Sequence, residues 1–249
     1  MDAADSRDLH TRTKPPLSYR VIRDLKLALV HSGIRGPGRI GALHQLFQFQ
    51  KFAHESGIFS CPSFQHRSEI YKYLHDSFIG SEPVDYLEFG VFKGASLRQW
   101  VQLSKDPRSW FFGFGSFEGL PEKWEFASGG PVDKGFFSTG AQLPDIDDAR
   151  IAYVKGFFQH SLRPFLKDFE RRNQLVLHLD ADLFTSTLFV LSTMDEFIVA
   201  GTLIISDEFG NVNDEFRAWT DYSKSFLRRA RPVAWADGFY GVVAFQVDA

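Results

Sequence analysis

Cysteine, long apolar runs and net charge are all scarce in this sequence, and each absence excludes a class of protein. Cys61 is the single cysteine in 249 residues, which excludes an intrachain disulfide or a cysteine-cluster metal site and suits a reducing, cytoplasmic compartment. No run of about 18 apolar residues is present, so we expect no membrane span, and residues 1–20 lack the apolar core of a secretory signal. The formal net charge of −3 does not indicate nucleic acid as the main partner.

Phenylalanine, by contrast, is abundant, at 27 residues, and we expect most of these rings in the hydrophobic core. Residues 1–16 are polar and end in two prolines, which predicts a disordered tail. Apolar residues at helical spacing predict helices over residues 17–32, 40–55 and 63–78. These helices form an N-terminal helical extension, residues 17–80, which is a candidate for capping the substrate side or for a homo-oligomer interface.

From Val84 onwards, strand and helix patterns alternate, which is typical of a parallel α/β sheet. The pattern predicts strands at 84–89, 110–114, 151–154, 174–179 and 202–206, and helices at 95–104, 160–171, 185–199 and 213–229. The last two strands, 232–236 and 242–247, are too close for a crossover and predict an antiparallel hairpin. Residues 115–150 are long and aperiodic, as in a lid. Residues 81–249 therefore predict the seven-stranded Rossmann-like sheet of class I methyltransferases.

The stretch from Val84 to Ser96 joins a buried strand to a helix through a glycine-bearing turn. Glu88 ends the strand, and Gly90 and Gly94 follow it. Such a turn lets the backbone approach a ligand and points the N–H groups of the helix at it. The pattern fits a nucleotide-type ligand and equally a tight turn whose glycines serve geometry alone.

Acidic residues follow two successive strands. Asp180 and Asp182 come after the fourth strand, and Asp207 and Glu208 come at the end of the fifth. Carboxylates that meet at one sheet edge repel each other and need a proton or a cation, and Mg²⁺ prefers oxygen ligands of this kind. Each acid has a simpler interpretation, because Asp182, Asp207 or Glu208 could instead cap the helix that follows.

Five segments, in order, resemble the macrocin O-methyltransferase family of class I S-adenosylmethionine enzymes, over about residues 64–247. They are residues 88–96 (EFGVFKGAS), 112–121 (FGFGSFEGLP), 154–158 (VKGFF), 178–187 (HLDADLFTST) with 207–210 (DEFG), and 215–219 (EFRAW). The resemblance implies that the protein binds S-adenosylmethionine and a divalent cation, Mg²⁺ or another, and methylates a hydroxyl of a small-molecule acceptor, for example a sugar of a glycosylated natural product.

The resemblance also implies roles for particular residues. It places Glu88, Gly90, Gly94 and Ser96 around the cofactor. It assigns the metal to Asp180, Asp207 and Glu208. The candidate catalytic residues are Asp180, His178 and His160. The two histidines are candidates for the general base, because histidine titrates in the range that a base needs. His178 also has a simpler interpretation as a packed strand residue, and His160 as an ordinary residue in the first turn of a helix.

Two positions depart from the family pattern. Gly115 stands where the second strand usually ends in an aspartate that grips the ribose hydroxyls, and Ser116 or Glu118 are the candidates to replace it. Gln159 and His160 stand where the family often has an acid. These departures motivate an alternative hypothesis, a methyltransferase-fold protein that has lost activity and acts as a binding or scaffold partner. A nicotinamide-dependent enzyme is disfavoured, because the full Gly-x-Gly-x-x-Gly pattern is absent.

Overall fold

A computed structural model describes residues 38–126 and 130–248. The predicted tail, 1–16, and the predicted helix over 17–32 lie outside the described residues. Residues 42–249 form one compact unit, which contains the entire sheet.

The strands among the described residues are β1 Ser63–Phe64, β2 Val84–Phe89, β3 Trp110–Gly115, β4 Trp124–Phe126, β5 Gly130–Val132, β6 Ile151–Lys155, β7 Gln174–Leu179, β8 Leu203–Asp207, β9 Ala230–Ala236 and β10 Val242–Val247. Eight of them form one mixed sheet in the order β1-β9-β10-β8-β7-β2-β3-β6. Strands β6, β3, β2, β7 and β8 are parallel neighbours, and β10 runs antiparallel to both β8 and β9. The predicted crossover sheet with its C-terminal hairpin is confirmed.

Six α-helices lie among the described residues and cover the faces of the sheet. They are α1 Gly38–Glu55, α2 Arg67–Leu74, α3 Ala95–Leu103, α4 Phe158–Leu166, α5 Phe184–Met194 and α6 Glu215–Ser225. None of these described helices is long and apolar enough to cross a membrane.

The central strands are buried on both faces, which explains their nearly continuous apolar sequence. Every residue of β2 is buried, and alternate side chains point to opposite layers. Leu87 and Phe89 pack in the core that includes residues of α1, α4, α5 and α6, whereas Val84 and Tyr86 pack in the core that includes residues of α2 and α3.

Phenylalanine rings fill much of the first of these two cores, as we expected from their abundance. Phe89 stacks on Phe114 with ring centroids 4.5 Å apart, and Phe165 meets Phe114 edge-on at 5.0 Å. Aromatic pairs in these geometries stabilise a core beyond the area they bury.

The largest difference from the sequence-based prediction lies in residues 63–78. The predicted single helix is wrong at its start, where β1 pairs in parallel with β9 and adds an eighth strand to the sheet. Helix α2 begins only at Arg67 and is followed by a wider helical turn, His75–Ile79. A strand of two residues is too short to show the alternation that identifies strands in a sequence.

The predicted lid, residues 115–150, contains more structure than its sequence suggests. Strands β4 and β5 form a separate antiparallel hairpin within it. Further along, the backbone N–H groups of Thr139 and Ala141 donate to the carbonyl oxygen of Phe117, which brings this part of the lid back against the end of β3.

Gly90 provides a stability test of the turn after β2. Its φ is +114°, and a Cβ added there would lie 1.7 Å from the carbonyl oxygen of Asp180. We expect Gly90→Ala to lower the free energy of unfolding by about 3 kcal/mol or more, because the backbone cannot yield to the methyl group. Chemical denaturation followed by circular dichroism measures the change.

Gly115→Ala is the matched control for that substitution. A Cβ at Gly115 would lie no closer than 3.4 Å to any atom of its surroundings, the nearest being in the ring of Phe117. We expect the stability of this variant to stay within about 1 kcal/mol of the parent protein. Equal losses in the two variants would contradict the close approach at Gly90.

Candidate functional site

A cavity of about 490 Å³ opens at the carboxyl ends of the parallel strands. Much of its wall is formed where five of these strands end: residues 90–92 after β2, 115–117 at the end of β3, 157–159 after β6, 180–182 after β7, and Glu208 after β8. Ligands of open α/β sheets bind at this edge, where the order of the strands reverses. Here the reversal lies between β2 and β7, which are adjacent in the sheet.

The predicted cofactor turn lies at this reversal. Gly90 lines the cavity, and Gly94, in a left-handed conformation, starts helix α3 and packs against Pro144 of the lid. The N–H groups of Gly90 and Val91 both donate to the carbonyl oxygen of Phe114, at 3.0 and 3.2 Å. This pairing holds the turn against the end of β3.

Glu88 is fully buried behind the turn and does not form part of the cavity wall. Its carboxylate accepts hydrogen bonds from the hydroxyls of Tyr86 and Ser96, both at 2.6 Å. The structure thus places Glu88 and Ser96 together as a support beneath the turn, because their bond joins the end of β2 to the first turn of helix α3.

His178 lies in the same buried network rather than in the cavity. Its side chain is fully buried, with Nδ1 at 2.7 Å from the hydroxyl of Tyr86 and Nε2 at 3.4 Å from that of Tyr71. His160 is exposed on helix α4 and is not part of the cavity wall, although its neighbour Gln159 is. The assignment of either histidine as a base stays a prediction.

The end of β3 carries no acidic side chain toward the cavity. Gly115 and Ser116 line the cavity, and the Ser116 hydroxyl donates to the carbonyl oxygen of Gly119 at 2.9 Å while accepting from the N–H of Glu118. Glu118 is exposed and lies outside the cavity wall. Beside Gly115, the ring of Phe117 occupies the adjacent space.

The acidic residues do converge at the other end of the cavity. Asp180, Asp182 and Glu208 line it, and the almost fully buried Asp207 lies at the end of β8 beside them. Arg67, from the first turn of helix α2, reaches this group, and its Nη1 donates to Oδ2 of Asp207 at 2.7 Å. The predicted meeting of the two acidic strand ends is therefore observed, together with a cation that the sequence reasoning missed.

Burial and mutual repulsion change the acidity of this group. Burial, with the charge of Asp182 next, raises the pKa of Asp180 well above its usual range, and burial, with Asp180 next, does the same for the pKa of Asp207 despite Arg67. The pKa of Asp182 rises to about 7, through burial first and then the charges of Glu208 and Asp207. Strongly perturbed acids gathered in one cleft are typical of functional sites.

Backbone strain also concentrates around the cavity. Phe92, Phe117, Asp182 and Glu208 line it, and each has a positive φ, of 39°, 59°, 62° and 51° respectively. A side chain in this left-handed region costs about 1–2 kcal/mol per residue. Surrounding contacts must hold these residues in place, and such strain is commonly found at binding and catalytic sites.

Asp182 does not cap the helix that follows it, so its simpler interpretation is wrong. Leu183 is the N-cap residue of α5 and makes no side-chain capping bond. Instead, Oδ1 of Asp214 accepts from the N–H of Phe184 at 3.2 Å, and Oδ2 of Asp214 accepts from the indole N–H of Trp124 at 3.1 Å. The carboxyl group of Asp182 is therefore left to the cavity.

The lid is attached to helix α5 at a second point. The hydroxyl of Thr185 donates to Oε1 of Glu122 at 2.6 Å. Together with the bond between Trp124 and Asp214, this contact connects the start of the β4–β5 hairpin to the first turn of the helix that follows the Asp180–Asp182 segment.

The acids in their observed arrangement do not fit a divalent metal ion. Within residues 38–126 and 130–248, no group of three His, Cys, Asp or Glu side chains converges as metal ligands do. Arg67 already holds Oδ2 of Asp207, and its Nη2 lies 2.9 Å from Asp237 and 4.0 Å from Glu208. Mg²⁺ bound by Asp180, Asp207 and Glu208 stays a prediction that this geometry does not support.

Aromatic side chains form the apolar part of the cavity. Phe92 and Phe137 meet edge-on with centroids 5.4 Å apart, and both line the cavity with Phe117, Phe157 and Phe158. A pocket with an aromatic wall and a few convergent polar groups is the usual form of a small-molecule site.

Comparisons with known proteins agree with this geometry. The solved structure of the O-methyltransferase NovP matches with a TM-score of 0.53 and 19% identity, over 74% of this chain and 80% of NovP. The calicheamicin methyltransferase CalS11 matches with a TM-score of 0.54 and 16% identity, over 99% of each chain. At these identities the likeness establishes the fold. A comparison with curated protein sequences found no significant match.

The family model of the macrocin O-methyltransferases (TylF) matches residues 76–240, which is more than half of the chain. The predicted resemblance is therefore confirmed, as is the expectation of an S-adenosylmethionine-dependent O-methyltransferase. With its crossover sheet, its glycine turn at Gly90 and its acidic strand ends, the chain belongs to the macrocin O-methyltransferase family.

Proposed function

We propose that this protein transfers the methyl group of S-adenosylmethionine to a hydroxyl oxygen of a sugar in a small-molecule natural product. The observation that carries the proposal is the convergence of Asp180, Asp182 and Glu208 on the cavity that also contains the Gly90 turn. One cavity thus contains a backbone turn suited to a cofactor and carboxylates suited to a hydroxyl group.

The charge of the site supports the cofactor. S-Adenosylmethionine carries a positive sulfonium, which the acids of the cavity attract when they are ionised. The Gly90 turn places backbone next to the cavity at the start of helix α3, where the free N–H groups of a helix favour a carboxylate such as that of the methionine part.

The names of similar proteins support a sugar acceptor. CalS11, whose second structure matches with a TM-score of 0.50 and 14% identity, is described as a TDP-rhamnose 3′-O-methyltransferase of calicheamicin biosynthesis. The cavity of this chain combines aromatic rings with carboxylates, which suits a sugar, whose C–H faces pack on rings while its hydroxyls donate to acids.

Methyl transfer requires mainly alignment and the removal of one proton. The acceptor hydroxyl gives its proton to a carboxylate, and the oxygen lone pair forms the bond to the methyl carbon. The sulfur keeps the electron pair of the broken carbon–sulfur bond, so the sulfonium becomes a neutral thioether. We assign the base to Asp182, because it lines the cavity and makes no helix cap. The divalent ion enters no step.

The alternative, a non-catalytic binding or scaffold protein, rests on Gly115 and on Gln159–His160. One measurement distinguishes the two functions: calorimetric titration of the protein with S-adenosylmethionine and with its product, S-adenosylhomocysteine. We expect binding of both in the micromolar range, which is ordinary for enzyme cofactors. The absence of heat up to about 1 mM would instead favour the scaffold function.

Turnover provides the second test of the proposal. With a panel of nucleotide sugars and glycosylated natural products and radiolabelled cofactor, we expect Asp182→Asn to lower the rate by about 10²–10⁴-fold, which is the usual contribution of a general base. Binding of S-adenosylhomocysteine should change less than about threefold, since Asn keeps the size of the side chain.

His160→Ala is the matched control on the same reaction. Because the imidazole lies outside the cavity wall, we expect its removal to leave the rate within about threefold. A large loss in His160→Ala together with a small loss in Asp182→Asn would reverse the assignment of the base.

Gly115→Asp tests how the chain manages without an acid at the end of β3. We expect the Kd for S-adenosylhomocysteine to fall about tenfold, because a carboxylate there can accept from the two ribose hydroxyls. Gly115→Ala, which adds only the Cβ, should leave the Kd unchanged. Weaker binding of S-adenosylhomocysteine by Gly115→Asp than by Gly115→Ala would contradict this expectation. It would show that the ribose packs on the ring of Phe117 and that a carboxylate at position 115 does not reach its hydroxyls.

A further inference from the structure

Arg67 enters the site from outside the parallel part of the sheet. Strand β1 pairs with β9 and ends at Phe64, and helix α2 starts three residues later with a capping box between His66 and Glu69. The edge strand and the capped helix start together fix the direction in which the side chain of Arg67 leaves the backbone. That direction leads to the end of β8.

The guanidinium of Arg67 is shared among acids from two elements. Its Nη1 donates to Asp207 at 2.7 Å, at the end of β8, and its Nη2 donates to Asp237 at 2.9 Å, in the turn between β9 and β10. Glu208 lies 4.0 Å from the same Nη2. A planar, permanently charged group with several donors suits such shared recognition better than a lysine would.

Asp207 needs a positive partner because its side chain is almost completely buried. Its exposed fraction is 1%, and a buried carboxylate is costly unless it is paired and hydrogen-bonded. Oδ2 has Arg67, whereas Oδ1 has no hydrogen-bond partner among the described residues. One oxygen of this buried carboxylate, Oδ2, is therefore hydrogen-bonded to an arginine, and the other, Oδ1, has no hydrogen bond from a described residue.

We propose that Arg67 is the resident cation of this acidic site and excludes a divalent metal ion from Asp207 and Glu208. Arg67 and Mg²⁺ compete for Oδ2 of Asp207, and Mg²⁺ needs its oxygen ligands at about 2.0–2.1 Å in octahedral geometry. A metal ion that takes this oxygen therefore binds only after Arg67 has left. Arg67 itself lines the cavity, so this inference rests on the proposed function, in which that cavity binds the cofactor and the acceptor.

Titration of the full-length protein with Mn²⁺, followed by electron paramagnetic resonance of the free ion, tests this proposal without any acceptor. We expect no site in the parent protein tighter than about 1 mM. Arg67→Met, which keeps an unbranched apolar stem and removes the charge, should bind one Mn²⁺ at least tenfold more tightly. Adding Asp207→Asn to Arg67→Met should abolish that site.

Arg108→Met is the matched control. Arg108 is also paired with an acid, Asp106, but on the exposed surface, and its loss should create no Mn²⁺ site. Arg67→Lys should remain without a site, because the positive charge is kept. Arg67→Gln replaces Arg67→Met if the latter fails to fold, which thermal unfolding by circular dichroism would reveal.

Two outcomes would overturn the proposal. One is a submillimolar Mn²⁺ site in the parent protein that Arg67→Met does not tighten, since Arg67 would then not compete with the ion. The other is the lack of a site in every folded variant at position 67, since the acids would then have no metal affinity to be blocked. Titration of the same samples with S-adenosylhomocysteine tests the proposed function separately. The role of Arg67 and the proposed function can therefore be refuted independently of each other.

Discussion

The close approach of the Gly90 turn to the end of β7 determines the geometry of the whole site. The carbonyl oxygen of Asp180 occupies the space of the missing Cβ, 1.7 Å from where that atom would stand, and the N–H of Asp180 donates to the carbonyl oxygen of Phe89 at 2.9 Å. The ends of β2 and β7 are therefore in direct contact. For this reason the Gly90 turn and Asp180, the first acid of the cluster, share one cavity.

Charge balance is the second requirement of this edge of the sheet. Four acids gather at or beside the cavity, and burial raises the pKa of Asp180, Asp182, Asp207 and Glu208. The arginine in the first turn of helix α2 offsets part of the negative charge. An N-terminal element that precedes the crossover sheet in the chain thereby contributes a side chain to the cavity.

The buried strands of the main sheet could be predicted closely from the sequence, for a physical reason. Strands buried on both faces have continuous apolar sequences, and the predicted ranges of β2, β7 and β10 agree with the structure at both ends. Strand β1, with two residues, has no periodicity to detect. The β4–β5 hairpin has strands of three residues within a segment rich in glycine.

The site could be predicted in part. The acids at the ends of β7 and β8 were found because adjacent parallel strands bring their carboxyl ends together. Arg67 was missed because its contact with Asp207 spans 140 positions of the chain, and no local pattern reports such a distance. Glu88 was expected at the cofactor, but its partners Tyr86 and Ser96 hold it behind the turn, which only three-dimensional packing reveals.

The attachment of the β4–β5 hairpin to helix α5 has a mechanical consequence. Asp214 holds both the indole of Trp124 and the first N–H of the helix, and Glu122 holds Thr185. Displacing the hairpin would break the bonds of Trp124 to Asp214 and of Thr185 to Glu122, while Asp214 would keep its bond to the N–H of Phe184. Trp124 also lines the cavity, so a molecule bound there would contact the same side chain that fastens the hairpin to Asp214.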